Sequence, residues 1–383
     1  MRLLCGAMSA RKFRAPGRVN LIGEHTDYND GFVMPPAINF STSVTYQPLA
    51  KRRIEFYSEN FNEQVVLDLD ALPKEKRNHW SDYVVGVALM LEQAGHRLTG
   101  ASLSFISDVP IGSGLSSSAA IEVATAYALN IGSNLQIDRK ELAKLCRKAE
   151  NEFVGARVGI MDHFVSLFGE KDKALLLDCR SLDYRLLPLP VSVQLVICNT
   201  MVKHALASGG YNERRAQCEE GVRELSKVLP GITALRDVSS IELEQHRDVL
   251  QPTIYRRCKH IVGENERVLS SGVALERSDL RAFGSLMNDS HRSLRDDFEV
   301  SCAELDLMVE LARGVEGVYG ARMTGGGFGG CTVNLVARDQ VEQFKKVVGP
   351  GYQKATGLRP EIYVCQAVKG AEEIAVNNTE QGS

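Results

Sequence analysis

The chain has 383 residues, of which 44% are hydrophobic and 24% charged, and its formal net charge is −3. This length suffices for two domains, and the near-neutral charge argues against nucleic acid or an anionic membrane surface as the main partner. The nine cysteines are scattered singly, which indicates reduced thiols in a cytoplasmic protein and gives no zinc signal. The sequence has no apolar run of membrane-spanning length.

Hydrophobic periodicity predicts a chain that mixes strands and helices. In the first half it predicts strands at 40–46, 54–57, 65–69, 101–107 and 173–180, and helices at 79–93, 119–131 and 139–153, with a short one after 160. In the second half it predicts strands at 191–199, 318–323 and 331–336, and helices at 211–229, 241–249, 253–271, 280–294 and 302–314. We place a domain boundary within 181–190 and expect the polar tail from about Ala371 to be frayed.

A polar loop near the N-terminus has the sequence G-E-H-T-D-Y-N-D-G and contains Glu24, His25 and Asp27. Sugars need such side chains, because each ring hydroxyl both donates and accepts and carboxylates satisfy hydroxyls in pairs. A solvated polar turn is the alternative interpretation. Just upstream, Arg18 stands alone in the otherwise uncharged segment A-P-G-R-V-N. It is either a structural ion-pair partner or a phosphate ligand.

A glycine- and serine-rich stretch, V-P-I-G-S-G-L-S-S-S-A-A-I at 109–121, lies between a predicted strand and a predicted helix. Gly112 and Gly114 let the backbone approach a ligand, and the free N–H groups of the helix that follows point back at the loop. The pattern indicates an anion site, although its spacing is neither that of a Walker A loop nor that of a Rossmann fingerprint. A turn with an N-capping serine is the alternative.

Three further features invite a functional interpretation. Trp80 and Tyr83 open a predicted helix, where aromatic residues serve either core packing or a nucleobase platform. Glu150 stands near the C-terminal end of a helix, an electrostatically poor place for an acid unless a ligand retains it. The run G-G-G-F-G-G at 325–330 has more glycine than a hairpin requires, which predicts backbone held against a ligand or against the first glycine loop.

Taken together, the three loops resemble the motifs of the GHMP family of small-molecule kinases. Segment 17–31 is similar to the galactokinase signature within that family, 110–120 to the second family motif and 320–331 to the third. The stretches G-I-M-D-H-F and S-H-R-S-L-R-D-D-F-E-V add to the likeness, which covers almost all of residues 15–365.

The resemblance implies an α+β fold of two mixed α/β domains with the active site between them. The N-terminal domain, 1–182, would be of the ribosomal S5 domain 2-like type, and the C-terminal domain, 183–383, ferredoxin-like. The implied reaction is transfer of the γ-phosphoryl group of ATP, with Mg²⁺, to the C1 hydroxyl of α-D-galactose, the first committed step of galactose catabolism. We expect a cytoplasmic monomer whose partners are galactose and ATP, with no nucleic acid and no membrane.

The resemblance also implies roles for individual residues. Asp162 and Arg18 would be catalytic, with Asp162 facing the anomeric hydroxyl of the sugar. The sugar would contact Glu24, His25, Asp27, Gly159 and Tyr211. ATP would contact Trp80, Tyr83, Gly112, Ser113, Gly114, Leu115, Ser116, Ser117, Ser118 and Ala119. Ser118 and Glu150 would bind Mg²⁺.

Two alternative functions share these motifs. A kinase for N-acetylgalactosamine has a similar signature, and a non-catalytic sensor binds galactose and ATP but lacks part of the serine/alanine run, which is complete here at 116–120. Two positions also depart from the family pattern. His163 stands where Gln is usual; its imidazole either reaches Asp162, which would shift the pH profile, or faces outward, which we expect. Gly210 stands where an acidic residue is common, which predicts a more mobile loop around Tyr211.

Overall fold

The structure, a computed structural model, describes residues 10–203 and 207–375. The elements of the first part are β1 (Arg11–Arg18), β2 (Phe32–Val33), β3 (Ala37–Leu49), β4 (Arg53–Ser58), β5 (Glu63–Asp68), α1 (Ser81–Gln93), β6 (Gly100–Ser107), α2 (Ser117–Gly132), α3 (Arg139–Lys148), α4 (Met161–Phe168), β7 (Lys173–Asp178) and β8 (Tyr184–Pro188). Those of the second part are β9 (Val193–Lys203), α5 (Ala207–Leu225), α6 (Ser240–Gln245), α7 (Pro252–Glu276), α8 (Leu280–Asp296), α9 (Ala303–Arg313), β10 (Val318–Thr324), β11 (Gly329–Ala337), α10 (Val341–Thr356), β12 (Glu361–Cys365) and β13 (Glu372–Ile374). Within the described ranges, no helix is both long and apolar enough to cross a bilayer.

The first sheet has six strands in the order β13-β1-β3-β6-β4-β5, and only its β4–β6 pairing is parallel. Alternate residues of β4 are buried, as the period-two pattern of its sequence requires. Helix α2 packs on β1 and β3, and α4 also packs on β1. Their apolar faces enclose a core that includes Phe13, Phe56 and Phe105. Because β1 and β6 are each antiparallel to β3, both run in the same direction, so the polar loop after β1 and the glycine loop after β6 leave the same end of this sheet.

The second sheet is fully antiparallel, in the order β10-β11-β9-β12. Helices α8 and α9 pack on β10, and α10 packs on α9, around a core that contains Phe344 and Tyr352. A smaller sheet, β2-β7-β8, lies next to the polar loop. The α+β class predicted from the sequence is thus confirmed.

Most of the predicted elements are present, with local differences. The helix predicted at 139–153 ends at Lys148 and continues as a π-helical turn, Ala149–Val154. The expectation of a frayed tail is wrong for its first residues, because β13 pairs with β1 and Ala371 is buried. The proposed boundary between 182 and 183 falls in the connection between β7 and β8, and these two strands are hydrogen-bonded to each other.

Candidate active site

A cavity of about 570 Å³ lies where the polar loop, α4, α5 and the β10–β11 turn meet. It is lined by seven residues that the sequence singled out: Arg18, Glu24, His25, Asp27, Gly159, Asp162 and Tyr211. The structure therefore brings all the predicted catalytic and sugar-contacting residues together. The cavity is also lined by Arg157 and Asn212, which the sequence analysis missed because neither residue lies in one of the three motifs.

Arg18 and Asp162 form a two-pronged ion pair at the wall of this cavity. Arg18 Nε donates to Asp162 Oδ1 at 2.8 Å, and Nη2 donates to Oδ2 at 2.7 Å. The remaining arm, Nη1, donates to the carbonyl oxygen of Gly114 at 2.5 Å. Ser116 also donates its hydroxyl to Asp162 Oδ2. Arg18 is therefore an ion-pair partner, as one of the two predicted alternatives has it, and this ion pair lies directly against the glycine loop.

The polar loop carries a half-buried carboxyl group, that of Asp27, next to Asp162. Burial, and then the charge of Asp162, raise the pKa of Asp27 to about 7. A Cβ atom on Gly159 would lie 1.8 Å from Asp27 Oδ2, so only glycine leaves room for this carboxyl. His25 is also buried, and burial lowers its pKa to about 3, which keeps the imidazole neutral. The loop thus offers neutral and charged hydrogen-bonding groups on one cavity wall.

Helix α7 holds the backbone of the polar loop from behind. Glu264 Oε1 accepts from the N–H of Gly23 at 2.9 Å, and Asn265 Oδ1 accepts from the N–H of Phe32 at 2.9 Å. His260 Nε2 lies 3.2 Å from the carbonyl oxygen of Glu24. These three α7 side chains fix the two ends of the loop. No sequence motif indicates these side chains, since they lie on the buried face of an ordinary amphipathic helix.

The carboxylate of Glu24 connects the polar loop to the third motif. Its Oε1 accepts from Thr324 Oγ1 at 2.8 Å and from the N–H of Gly325 at 2.9 Å. A Cβ atom on Gly325 would in turn lie 3.9 Å from Gly114 Cα. The glycine-rich turn at 325–330 therefore lies against both the polar loop and the first glycine loop. The sequence predicted contact with the first glycine loop as one of two alternatives.

A second pocket, of about 260 Å³, lies on the other side of the glycine loop. Four residues predicted to contact ATP line it: Trp80, Tyr83, Ser117 and Ser118. Phe61, which the sequence analysis missed, stacks on Trp80 with ring centroids 5.9 Å apart and an interplanar angle of 22°. Glu63 Oε2 accepts the indole N–H of Trp80 at 2.7 Å and so fixes the ring. The pocket thus combines an aromatic wall with two hydroxyls at the start of α2.

The other glycine-loop residues shape the backbone. Gly112 and Gly114 have φ values of 70° and 80°, which glycine adopts without strain. Ser113 donates its hydroxyl to the carbonyl oxygen of Pro110 at 2.7 Å. Leu115 and Ala119 are buried beneath the loop. Ser116 occupies the N-cap position of α2, but its side chain makes no capping bond, so the capping interpretation of the serine run is wrong at this residue.

Glu150 and Ser118 offer the hydroxyl and carboxylate oxygens that Mg²⁺ prefers. Glu150 is buried in the π-helical turn, and Ser118 lies in the first turn of α2. The expectation that His163 faces outward is wrong, because its side chain is fully buried. His163 Nε2 lies 2.6 Å from Glu122 Oε2 and 3.2 Å from Glu150 Oε2. His163 therefore contacts Glu150, the candidate metal-binding carboxylate.

Tyr211 lies in helix α5 rather than in a loop, so the prediction of a more mobile loop is wrong. Its ring lies 5.4 Å from the rings of both His25 and Tyr28. A Cβ atom on Gly210 would lie 2.5 Å from the ring of Phe328. The packing of α5 against Phe328 therefore requires glycine at position 210.

Comparison with known proteins agrees with this geometry. Three family models match the chain: the galactokinase galactose-binding signature at residues 6–48, the GHMP kinases N terminal domain at 82–170 and the GHMP kinases C terminal at 273–350. The galactokinase of Roseiflexus sp. (strain RS-1) is 48% identical over 95% of this chain and 93% of its own length. The galactokinase of Thermotoga maritima is 42% identical over 95% of this chain and its own full length.

Solved structures support the same conclusion. The crystal structure of Lactococcus lactis galactokinase complexed with galactose has a TM-score of 0.93 and 39% identity, and the match covers 96% of both chains. The mevalonate kinase of Methanococcus jannaschii has a TM-score of 0.66 at 18% identity, over 94% of this chain and 99% of its own, and shares the fold. The chain belongs to the galactokinases of the GHMP kinase family.

Proposed function

We propose that this chain phosphorylates α-D-galactose at its C1 hydroxyl, with Asp162 and Arg18 as the catalytic residues. ATP-dependent phosphorylation of galactose is the activity of its family. One observation carries the finer assignment. The Arg18–Asp162 pair lines the larger cavity and is also bonded to Gly114 and Ser116 of the glycine loop. A sugar hydroxyl in the cavity and a phosphate on the loop would meet at this pair.

The residues at the pair suit phosphoryl transfer. The reaction passes through a loose transition state, so it depends mainly on alignment and on neutralisation of charge. Asp162 accepts the proton of the C1 hydroxyl, and its two bonds from Arg18 hold the carboxylate in one orientation. Arg18 adds positive charge where the transferred group becomes more negative. Mg²⁺, held by Ser118 and Glu150, would neutralise the phosphate oxygens of ATP.

The two substrates occupy different pockets in this proposal. Galactose binds in the larger cavity against Glu24, His25, Asp27, Gly159 and Tyr211. The adenine of ATP binds against Trp80 and Tyr83, and its phosphates bind along the backbone and hydroxyls of 112–119. The aromatic wall of the smaller pocket supports the second assignment, because a flat base gains from stacking on a ring.

We also propose a cytoplasmic monomer of two domains that meet near residue 182, with β13 completing the N-terminal sheet. The eight cysteines of the described residues are unbridged, and all but Cys302 are buried, which agrees with a reducing compartment. Light scattering of the purified protein tests the oligomeric state, and a mass near twice the 42.1 kDa of the chain would refute the monomer.

The decisive test is coupled ADP release with Mg·ATP and, side by side, galactose, N-acetylgalactosamine, glucose and mevalonate. We expect strong turnover with galactose, and a product whose anomeric proton couples to phosphorus in its NMR spectrum. Preferred turnover of N-acetylgalactosamine would reassign the substrate. Thermal protection by galactose without any ADP release would replace the enzyme by a sensor.

A further inference from the structure

A buried cluster of three ionisable side chains lies beside the candidate metal site: Glu122 from α2, Glu150 from the π-helical turn and His163 from α4. Their ligand atoms all lie within 4.8 Å of one another. The side chains of Glu122 and His163 are fully buried, and that of Glu150 is 6% exposed. Burying three such groups is costly unless each is paired. The cluster therefore calls for an explanation that packing alone does not give.

The cluster lies close to the reacting groups of the proposed mechanism. Ser118 and Glu122 are four residues apart on α2 and so share one face of the helix. His163 follows Asp162 directly in α4. Tyr83, which lines the smaller pocket, is near enough to both glutamates for their charges to help raise its pKa to about 12, after burial as the main cause. The cluster thus lies between the nucleotide pocket and the catalytic aspartate.

His163 is bonded on one side only. Its Nε2 atom contacts Glu122 Oε2 and Glu150 Oε2, whereas Nδ1 has no hydrogen-bond partner among the described residues. The Nε2 edge of the imidazole therefore faces both carboxylates, with a hydrogen bond to Glu122 and a contact to Glu150.

We propose that His163 and Glu122 are positioning residues that hold the Glu150 carboxylate in the orientation in which it binds the divalent metal. This inference rests on the proposed function, which makes Glu150 a metal ligand. Partners that hydrogen-bond to a ligating carboxylate fix its direction, and their loss typically lowers metal affinity by about 10–100-fold. Here His163 Nε2 lies 3.2 Å from Glu150 Oε2, and the other carboxylate oxygen of Glu150 would be the one that binds the metal.

The chemistry of the imidazole supplies a matched pair of variants. The amide nitrogen of Gln is the same number of bonds from Cβ as His Nε2, and that of Asn the same number as Nδ1. His163→Gln therefore keeps a donor where Glu122 and Glu150 accept it. His163→Asn moves the donor to the side where the structure has no acceptor. Both variants bury one neutral amide, so a general cost of burial affects them alike.

The readout is metal binding rather than turnover. Calorimetry measures the affinity of the whole protein for a non-hydrolysable ATP analogue in EDTA and in Mg²⁺, and the EPR signal of Mn²⁺ reports the bound metal directly. We expect the metal-dependent gain in affinity to be about 10–100-fold smaller in His163→Asn than in the unmodified protein. In His163→Gln this gain should be unchanged. Affinity in EDTA should be unchanged in both. Glu122→Met, which removes the anchor of the imidazole, repeats the test should His163→Asn not fold.

Glu150→Gln separates failure of this inference from failure of the metal assignment. An unchanged metal-dependent gain in Glu150→Gln would refute Glu150 as a ligand and the inference with it. A loss in Glu150→Gln together with an intact gain in His163→Asn and Glu122→Met would refute the positioning role alone. Equal losses in EDTA and in Mg²⁺ for His163→Asn would also overturn it, because they would indicate a general effect on the fold.

Discussion

Replacement of Arg18 by Lys tests whether the geometry of the guanidinium, rather than its charge, is needed for catalysis. Arg18 makes three hydrogen bonds, two to Asp162 and one to the carbonyl oxygen of Gly114. A lysine ammonium carries the same charge as a single point. It cannot bond both carboxylate oxygens and the glycine loop from one position, so Asp162 loses its fixed orientation towards the sugar hydroxyl.

The size of the effect follows from the bonds that are lost. Each hydrogen bond to a charged group contributes about 1.5–3 kcal/mol, and Lys keeps about one of the three. Two lost bonds amount to about 3–6 kcal/mol, from which the retained charge subtracts a part. We take a net loss of about 3–4 kcal/mol, which corresponds to roughly 10²–10³-fold in kcat/KM at about 1.4 kcal/mol per factor of ten. The loss should fall mainly on kcat, because the bonds orient the reacting group.

Arg236 provides a matched control for Arg18→Lys. It also bonds both oxygens of one carboxylate, Asp178, and one backbone carbonyl, that of Asp30, but it does not line either cavity. In the coupled ADP-release assay with saturating galactose, Arg236→Lys should keep a kcat near that of the unmodified protein while its midpoint of thermal unfolding falls. If Arg18→Lys kept a kcat similar to that of Arg236→Lys, the argument from bidentate geometry would be refuted.

Three other predictions follow from the same site. Asp162→Asn should lower kcat by about 10²–10⁴-fold, the usual contribution of general-base assistance, with an unchanged thermal midpoint; near-normal turnover would remove Asp162 from the mechanism. Gly159→Ala should raise KM for galactose by displacing Asp27, whereas Gly209→Ala, whose Cβ would meet nothing within 4 Å, should leave KM unchanged. Burial lowers the pKa of His260 to about 4. As the pH falls from about 6.5, the unfolded chain therefore binds a proton at this residue whereas the folded protein does not, and the free energy of unfolding decreases. Between pH 6.5 and 5 the free energy of unfolding in urea should therefore fall by about 1.5 kcal/mol less in His260→Gln than in the unmodified protein. An identical fall in both proteins would contradict this.

The parts of the site that the sequence predicted are those whose chemistry is local. Gly112 and Gly114 need only backbone freedom, and the polar residues of 23–31 follow one another in the chain, so their roles can be inferred without knowing the fold. The helices from α5 to α9 were predicted because their apolar residues recur at helical spacing. The proposed catalytic pair is different: the resemblance implied a catalytic role for both Arg18 and Asp162, and their separation in sequence gives no other indication that the two side chains meet.

What the sequence could not predict depends on distant partners. The carboxylates that contact His163 come from α2 and from the π-helical turn after α3. Because these segments are distant in sequence, the burial of His163 could not be predicted from its neighbours in the chain. Phe61 lies in a short turn between two strands and gains its role only when Trp80 packs beside it. Strand β8 has four exposed residues out of five, so it lacks the alternation that identifies a half-buried strand.

The pairing of β13 with β1 affects how the protein folds during synthesis. Strand β1 pairs with β3 on one side, and its other edge is completed by Glu372–Ile374, with ion pairs from Arg11 and Arg14 to Glu373 and Glu372. Translation makes β1 long before β13, because the rest of the described fold lies between them in the chain. Until β13 has been synthesised, the N-terminal sheet of the nascent chain has an unpaired edge at β1. Strands of neighbouring chains can pair with such an edge and cause aggregation. A stop codon just before residue 372 would leave every proposed catalytic residue in the product and still release a protein with that edge exposed.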